Sequence, residues 1–163
     1  MAQIYYPKKT STKLAEGATA GLLGGLVAVV LMAIIDVLTP ERSWWSTSSL
    51  YGSIFTGARE FNTASPDFAS LIIGALLVLA VFALAGMGFV NYLVLFRRFK
   101  IPAWLGGALY GALLNVSFLI LMNAWWPDVV KRQNNIALLI ADAIGGAVIG
   151  WWMSTRSTSE RPT

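Results

Sequence analysis

The stretch ATAGLLGGLVAVVLMAIIDVL, residues 18–38, carries a single acid, Asp36, and no base. At a rise of ~1.5 Å per residue it is long enough, as a helix, to cross a hydrocarbon layer of about 30 Å. Three more apolar runs follow, at Phe68–Phe96, Ala103–Trp126 and Ile136–Met153. Together the four runs fill more than half of the chain. The expected fold is therefore all-α and polytopic: one integral membrane domain over residues 1–163 with four transmembrane helices.

Composition agrees. The 163 residues are 56 % hydrophobic and 12 % charged, against roughly 25 % charged in soluble domains. Cysteine and histidine are both missing from the sequence. That removes disulfides, thiolate nucleophiles, the commonest metal and haem ligands, and the side chain that titrates near neutral pH. No phosphate-cradling glycine loop is present either, since the Gly-Gly pairs lie inside the apolar runs. A non-catalytic protein without metal or cofactor is the expectation.

A net charge of +4 would suit a nucleic acid, but the position of the bases argues otherwise. Lys8, Lys9 and Lys13 precede the first run, Arg97, Arg98 and Lys100 follow the second, and Arg156 and Arg161 follow the fourth. These are topology signals, and no nucleic-acid partner is expected. With four spans, alternate loops share a side. Eight Lys/Arg then fall on one side and four (Arg42, Arg59, Lys131 and Arg132) on the other. The positive-inside rule places both termini and the Arg97–Lys100 turn in the cytoplasm. The first run is followed directly by Pro40-Glu41-Arg42 without a small-residue cleavage pattern, so it reads as a retained helix rather than a signal peptide. Trp44, Trp45, Trp125 and Trp126 fall at the outer boundary, and Trp104, Trp151 and Trp152 at the inner one, where amphipathic rings anchor at headgroup level.

Boundaries are marked by Pro40 and Pro127, expected to close the first and third spans, and by Pro102, expected to open the third. Ser65-Pro66-Asp67 offers an N-cap, a proline and an acid to open the second. The connection Thr39–Asp67 is too long for a plain turn. Within it Leu50, Tyr51, Ile54, Phe55, Ala58 and Phe61 recur at helical spacing, which suits a short helix lying in the outer interface, although Gly52 and Gly57 weaken it. The alternative is an irregular loop pinned by Trp44 and Trp45. A faint repeat aligns residues 20–24 with 107–111 and 36–40 with 123–127. Two tandem helical hairpins would produce it, and so would chance similarity between glycine-rich helices.

Three small-residue stripes stand out at i, i+4 spacing: Gly17, Gly21 and Gly25; Gly107, Gly111 and Asn115; and Asp142, Gly146 and Gly150. Such stripes let helix backbones approach closely inside a bilayer. Whether they face each other or another subunit is open at this point; three are more than a four-helix bundle needs, which leaves at least one available to a partner. Asp142 lies six positions inside the fourth run, roughly 9 Å deep at helical rise. A carboxylate there costs several kcal/mol unless protonated, paired or hydrated. Asp36 and Asn123 fall in the same leaflet, and Asn115 near mid-membrane. One reading gathers Asp142, Asp36 and Asn123 into a cation or proton site. Another gives Asp142 a plain helix-to-helix hydrogen bond or a pairing with Arg132 or Lys131. A third makes it a docking contact.

The layout of a glycine-rich first helix, a Trp-containing outer loop, Gly86-Met87-Gly88-Phe89 on the second helix and Gly145–Gly150 on the fourth resembles small, uncharacterised four-helix bacterial membrane proteins. The resemblance implies a bacterial inner-membrane location and no activity. Members often carry histidine on helices two and four, where Val78 and Asp142 lie near those positions here. The function expected is that of an accessory or scaffold subunit of a larger membrane complex, respiratory or photosynthetic in type, with the lipid bilayer and other membrane subunits as partners. The competing expectation is a small transporter or ion-conducting oligomer built on Asp142, Asp36 and Asn123.

Overall fold

The computed structural model describes residues 10–57 and 67–158. Among these every regular element is a helix: α1 (Thr10–Leu38), α2 (Ser46–Thr56), α3 (Phe68–Arg98), α4 (Ala103–Trp125), α5 (Pro127–Arg132) and α6 (Asn135–Thr158). Four of them, α1, α3, α4 and α6, are long and apolar enough to cross a membrane, so the chain is a multi-pass membrane protein in contact with lipid. Their outward rows are bulky and apolar, with Leu26 and Ile34 on α1, Leu84 on α3, and Leu113 and Ile120 on α4 all exposed. In water those rows would be a liability, but against lipid they are solvated.

Helix ends follow local chemistry. Asp67 caps α3 itself: its Oδ1 accepts the Ala69 N–H at 3.2 Å, and its carbonyl accepts that of Leu71. The Ser70 hydroxyl also donates to Asp67, which holds this carboxyl below the usual range. The cap is therefore intact at neutral pH and is lost as pH falls through that lowered value. Ser65 and Pro66 lie outside the described residues. Asn134 caps α6 by accepting the Ala137 N–H. The α3–α4 turn closes with Lys100 in the left-handed region (φ 55°) and the Ile101 N–H on the Phe96 carbonyl at 2.9 Å, a Schellman stop. One boundary differs from expectation. Pro127 does not merely close α4; it opens α5 at the first helical position, where its missing N–H costs nothing.

Small residues decide which helices touch. α1 and α6 meet at the centre, α3 lies on α1, and α4 lies on α6. A Cβ added at Gly21 would stand 2.1 Å from the Phe82 carbonyl oxygen, and one at Gly17 would stand 2.6 Å from that of Gly86. Gly25 rests on the Phe82 side chain, and Gly24 on Gly145 across the α1–α6 contact. Along α4–α6, Gly107 faces Gly146, Gly111 faces Asp142, and Gly150 faces Ala103, each backbone to backbone. All three stripes are thus spent inside the chain. The expectation that one is left over for another subunit fails, because the third stripe serves as the counterface of the second. Nor does the packing repeat in the register of the sequence alignment. Gly24 and Gly111, matched there, both press on α6.

α2 is the helix read from the spacing Leu50–Phe55. It ends at Gly57 (φ 69°), and Ala58 and Phe61 lie outside the described residues. Its first seven residues, Ser46–Gly52, are buried. Gly52 and Gly74 make this possible, since a Cβ at either would come within 1.7 Å of a backbone oxygen, of Ser70 and Ser48 respectively. Gly52, read as a weakness of the helix, is what docks it on α3.

Candidate functional site: a polar cap over a lateral cleft

α3 and α4 are neighbours in sequence but touch mainly near their turn. There Phe89, Phe96, Tyr92 and Tyr110 stack, with Phe89 and Tyr110 centroids 5.5 Å apart. Beyond this cluster each helix is held by its glycines to a different partner, and the two part around Leu77, Val81, Leu114 and Phe118. The result is a cleft with a cavity of about 70 Å³, several times the roughly 15 Å³ that one water needs by this measure. It runs along α4 from Tyr110 to Phe118, about 12 Å at helical rise. Val81, at its mouth, is 40 % exposed. Apolar side chains form the walls.

The floor is polar at one place. Asn115 Nδ2 donates to Asp142 Oδ2 at 2.7 Å, and both residues line the cleft. The pair follows from the stripes. In antiparallel register, Gly107 and Gly111 on α4 face Gly146 and the Asp142 backbone on α6, which brings Asn115, one step further along α4, opposite the Asp142 side chain. Asn115 is 3 % exposed, and its Oδ1 finds no hydrogen-bond partner. Among the described residues, Asp142 is the only acid lining the cleft, and no lysine or arginine lines it. It pairs with neither Arg132 nor Lys131. Lys131 approaches Asp128 at 3.6 Å, and the Arg132 carbonyl accepts from Arg42.

A second polar cluster closes the end of the bundle that carries α2 and α5. Asp36, 2 % exposed at the end of α1, accepts Arg42 Nε at 2.8 Å, the Thr47 N–H at 2.7 Å and the Thr47 hydroxyl at 3.0 Å. α2 has no side-chain cap of its own. The Asp36 carboxylate supplies one from another helix, at the positive end of the α2 dipole. Arg42 also donates to Thr47 Oγ1 and to the Arg132 carbonyl, tying α1, α2 and α5 together. Beneath, Tyr51 reaches into the cleft and donates to Gln133 Oε1 at 3.2 Å, while Gln133 Nε2 donates to Asn135. Burial pushes the Tyr51 hydroxyl above its ordinary value, and the nearby Asp142 charge adds to that. Tyr51 therefore stays a neutral donor.

The gathering of Asp142, Asp36 and Asn123 does not occur. Asp36 is saturated in the cap, Asp142 is held at the cleft floor, and Asn123 points outward on an exposed face of α4. Trp44, Trp104, Trp125, Trp126 and Trp151 are exposed near the helix ends, as anchors require. Trp45 and Trp152 turn inward. Trp45 Nε1 is buried without a partner, and Trp152 packs on the core beneath the Arg156 guanidinium, 4.9 Å from the ring. Among the described residues no group of three acids gathers as a metal site. Compared with known proteins, the chain matches no family model, no curated protein and no solved structure.

Proposed function

We propose that the protein is a non-catalytic membrane subunit that takes a small amphiphile from the bilayer into the cleft between α3 and α4. The observation that carries this is a side-opening apolar cleft whose floor holds a buried, unpartnered acceptor, Asn115 Oδ1, beside Asp142. Pockets for small ligands have this composition, apolar walls with a few convergent polar groups. The accessory-subunit expectation drew on glycine faces free for partners. Those faces are occupied within the chain, so any subunit contact would have to use the bulky outward rows.

Native mass spectrometry of protein extracted in mild detergent tests the reading. Wild type is expected to carry a bound amphiphile as a discrete added mass. Val81→Trp, which places an indole in the mouth of the cleft, is expected to lose it while keeping its helical circular dichroism. Equal adducts on both, or none on wild type, would refute the reading.

The proposed setting is a bacterial inner membrane with both termini cytoplasmic and the α2–α5 end facing outward, α2 lying near the outer interface. The eight-to-four Lys/Arg asymmetry supports it. Reporter fusions after Lys100 and after Thr163 should both report cytoplasm, and a periplasmic signal from either would reverse the orientation.

A further inference from the structure

The chemistry at the floor of the cleft specifies the head of the ligand. This inference rests on the reading of the cleft as an amphiphile site. Asp142 accepts one hydrogen bond, from Asn115 Nδ2, and offers further acceptor capacity. Asn115 gives one of its two amide N–H groups to Asp142 and keeps Oδ1 without a donor, in a residue that is 3 % exposed. Whatever enters must therefore donate. It must also answer a charge. A carboxylate at this depth costs several kcal/mol unless neutralised or paired. Yet among the described residues no cationic side chain reaches it: Arg42 serves Asp36 and the Arg132 carbonyl at the cap, and the remaining described cleft-lining residues are apolar, glycine or tyrosine. Of those tyrosines, Tyr51 spends its hydroxyl proton on Gln133.

We propose that the cleft is a site for a membrane-partitioning ammonium compound carrying N–H groups, its cation on the Asp142 carboxylate, one N–H on Asn115 Oδ1 and its alkyl part along Val81 and Leu114. A neutral alcohol supplies one donor and no charge; a quaternary ammonium supplies charge and no donor. An ammonium with N–H groups supplies both. The alternative that keeps the site empty is a protonated Asp142 that closes its own ring with Asn115 by donating to Oδ1.

Three probes of one chain length separate these cases: octylamine, octanol and octyltrimethylammonium. Each is titrated against the protein in lipid nanodiscs, with thermal unfolding followed by tryptophan fluorescence as the binding signal. Wild type, Asp142→Asn and Val81→Trp are compared. Octylamine is expected to stabilise wild type saturably, with an affinity on the order of tenfold above that of octanol, because hydrogen bonds to a charged group exceed neutral ones by about that much. Asp142→Asn, which keeps the shape and drops the charge, should bring the two to parity. Octyltrimethylammonium should bind more weakly than octylamine.

Equal binding of amine and alcohol by wild type would overturn the proposal, and so would a quaternary probe as good as the amine. If such non-selective binding disappears in Val81→Trp, the cleft remains an amphiphile site and only the head-group assignment falls. No saturable binding of any probe by wild type would overturn both. Should Asp142→Asn fail to fold, the comparison of the three probes on wild type and Val81→Trp still decides the matter.

Discussion

Gly107→Leu is expected to destabilise the bundle by roughly 3 kcal/mol or more, at the upper end of what overpacking costs. The reason is local and severe. Even a Cβ at this position would stand 2.1 Å from the Gly146 carbonyl oxygen, and the obstacle is backbone, which cannot rotate away. Inside a bilayer no hydrophobic effect pulls the helices back together, so lost packing is not recovered. The damage should also travel. Gly107, Gly111 and Asn115 share one face of α4, so forcing α4 off α6 would draw Asn115 from Asp142 and open the cleft floor. Leu113→Ala, on the 64 %-exposed outward row of the same helix, serves as the control and should cost little. Unfolding in SDS titrations measures both. Equal behaviour of the two variants would mean that α4 and α6 are not in the backbone contact described.

The second large effect belongs to the cap. Arg42→Ala removes the one cation bonded to Asp36, whose side chain is 3 % exposed, and leaves a buried carboxylate with only Thr47 for company. Breaking a buried pair from one side costs about 3–5 kcal/mol. The loss should appear first in α2, through faster amide exchange over Ser46–Gly52, because Arg42 and Asp36 together tie that helix to α1 and α5. Adding Asp36→Asn to Arg42→Ala should restore much of the stability. An amide oxygen still accepts the Thr47 N–H without leaving a charge unpaired. If the double variant is no better than Arg42→Ala, the cost lies in lost packing of the arginine stem rather than in the orphaned charge.

The four spans were legible because their apolar runs are long and their ends are marked by Pro40, Pro102 and Pro127. The helix in the first connection was legible from the spacing Leu50–Phe55, but its burial was not, because Gly52 reads as a weak helix former until Gly74 is set against it. The Asn115–Asp142 pair was within reach of the sequence. Two of the stripes end in a polar residue, and laying those stripes antiparallel brings the two together. The open choice between stripes that face each other and stripes that face another subunit left this pairing undrawn, although a helix-to-helix hydrogen bond was one reading of Asp142. Arg42 escaped notice as a ligand of Asp36 because a base just past a span end looks like any other loop charge. The cleft itself left no mark. It exists because glycines draw α3 onto α1 and α2 and draw α4 onto α6, and nothing in their own apolar faces distinguishes a wall of a cavity from a row facing lipid.

Photolabelling from within the bilayer tests the central claim most directly. A diazirine-bearing alkyl probe is dissolved in liposomes holding the protein, activated, and its adducts are mapped by mass spectrometry. The outward rows, Leu84 and Leu113 among them, will be labelled in any arrangement of these helices. A cleft open to lipid predicts label also on Val78, 8 % exposed, and on Leu114, both lining the cavity, with that inner label lost in Val81→Trp. Label confined to the outward rows in wild type would show that the bilayer does not reach between α3 and α4, and the account would be wrong.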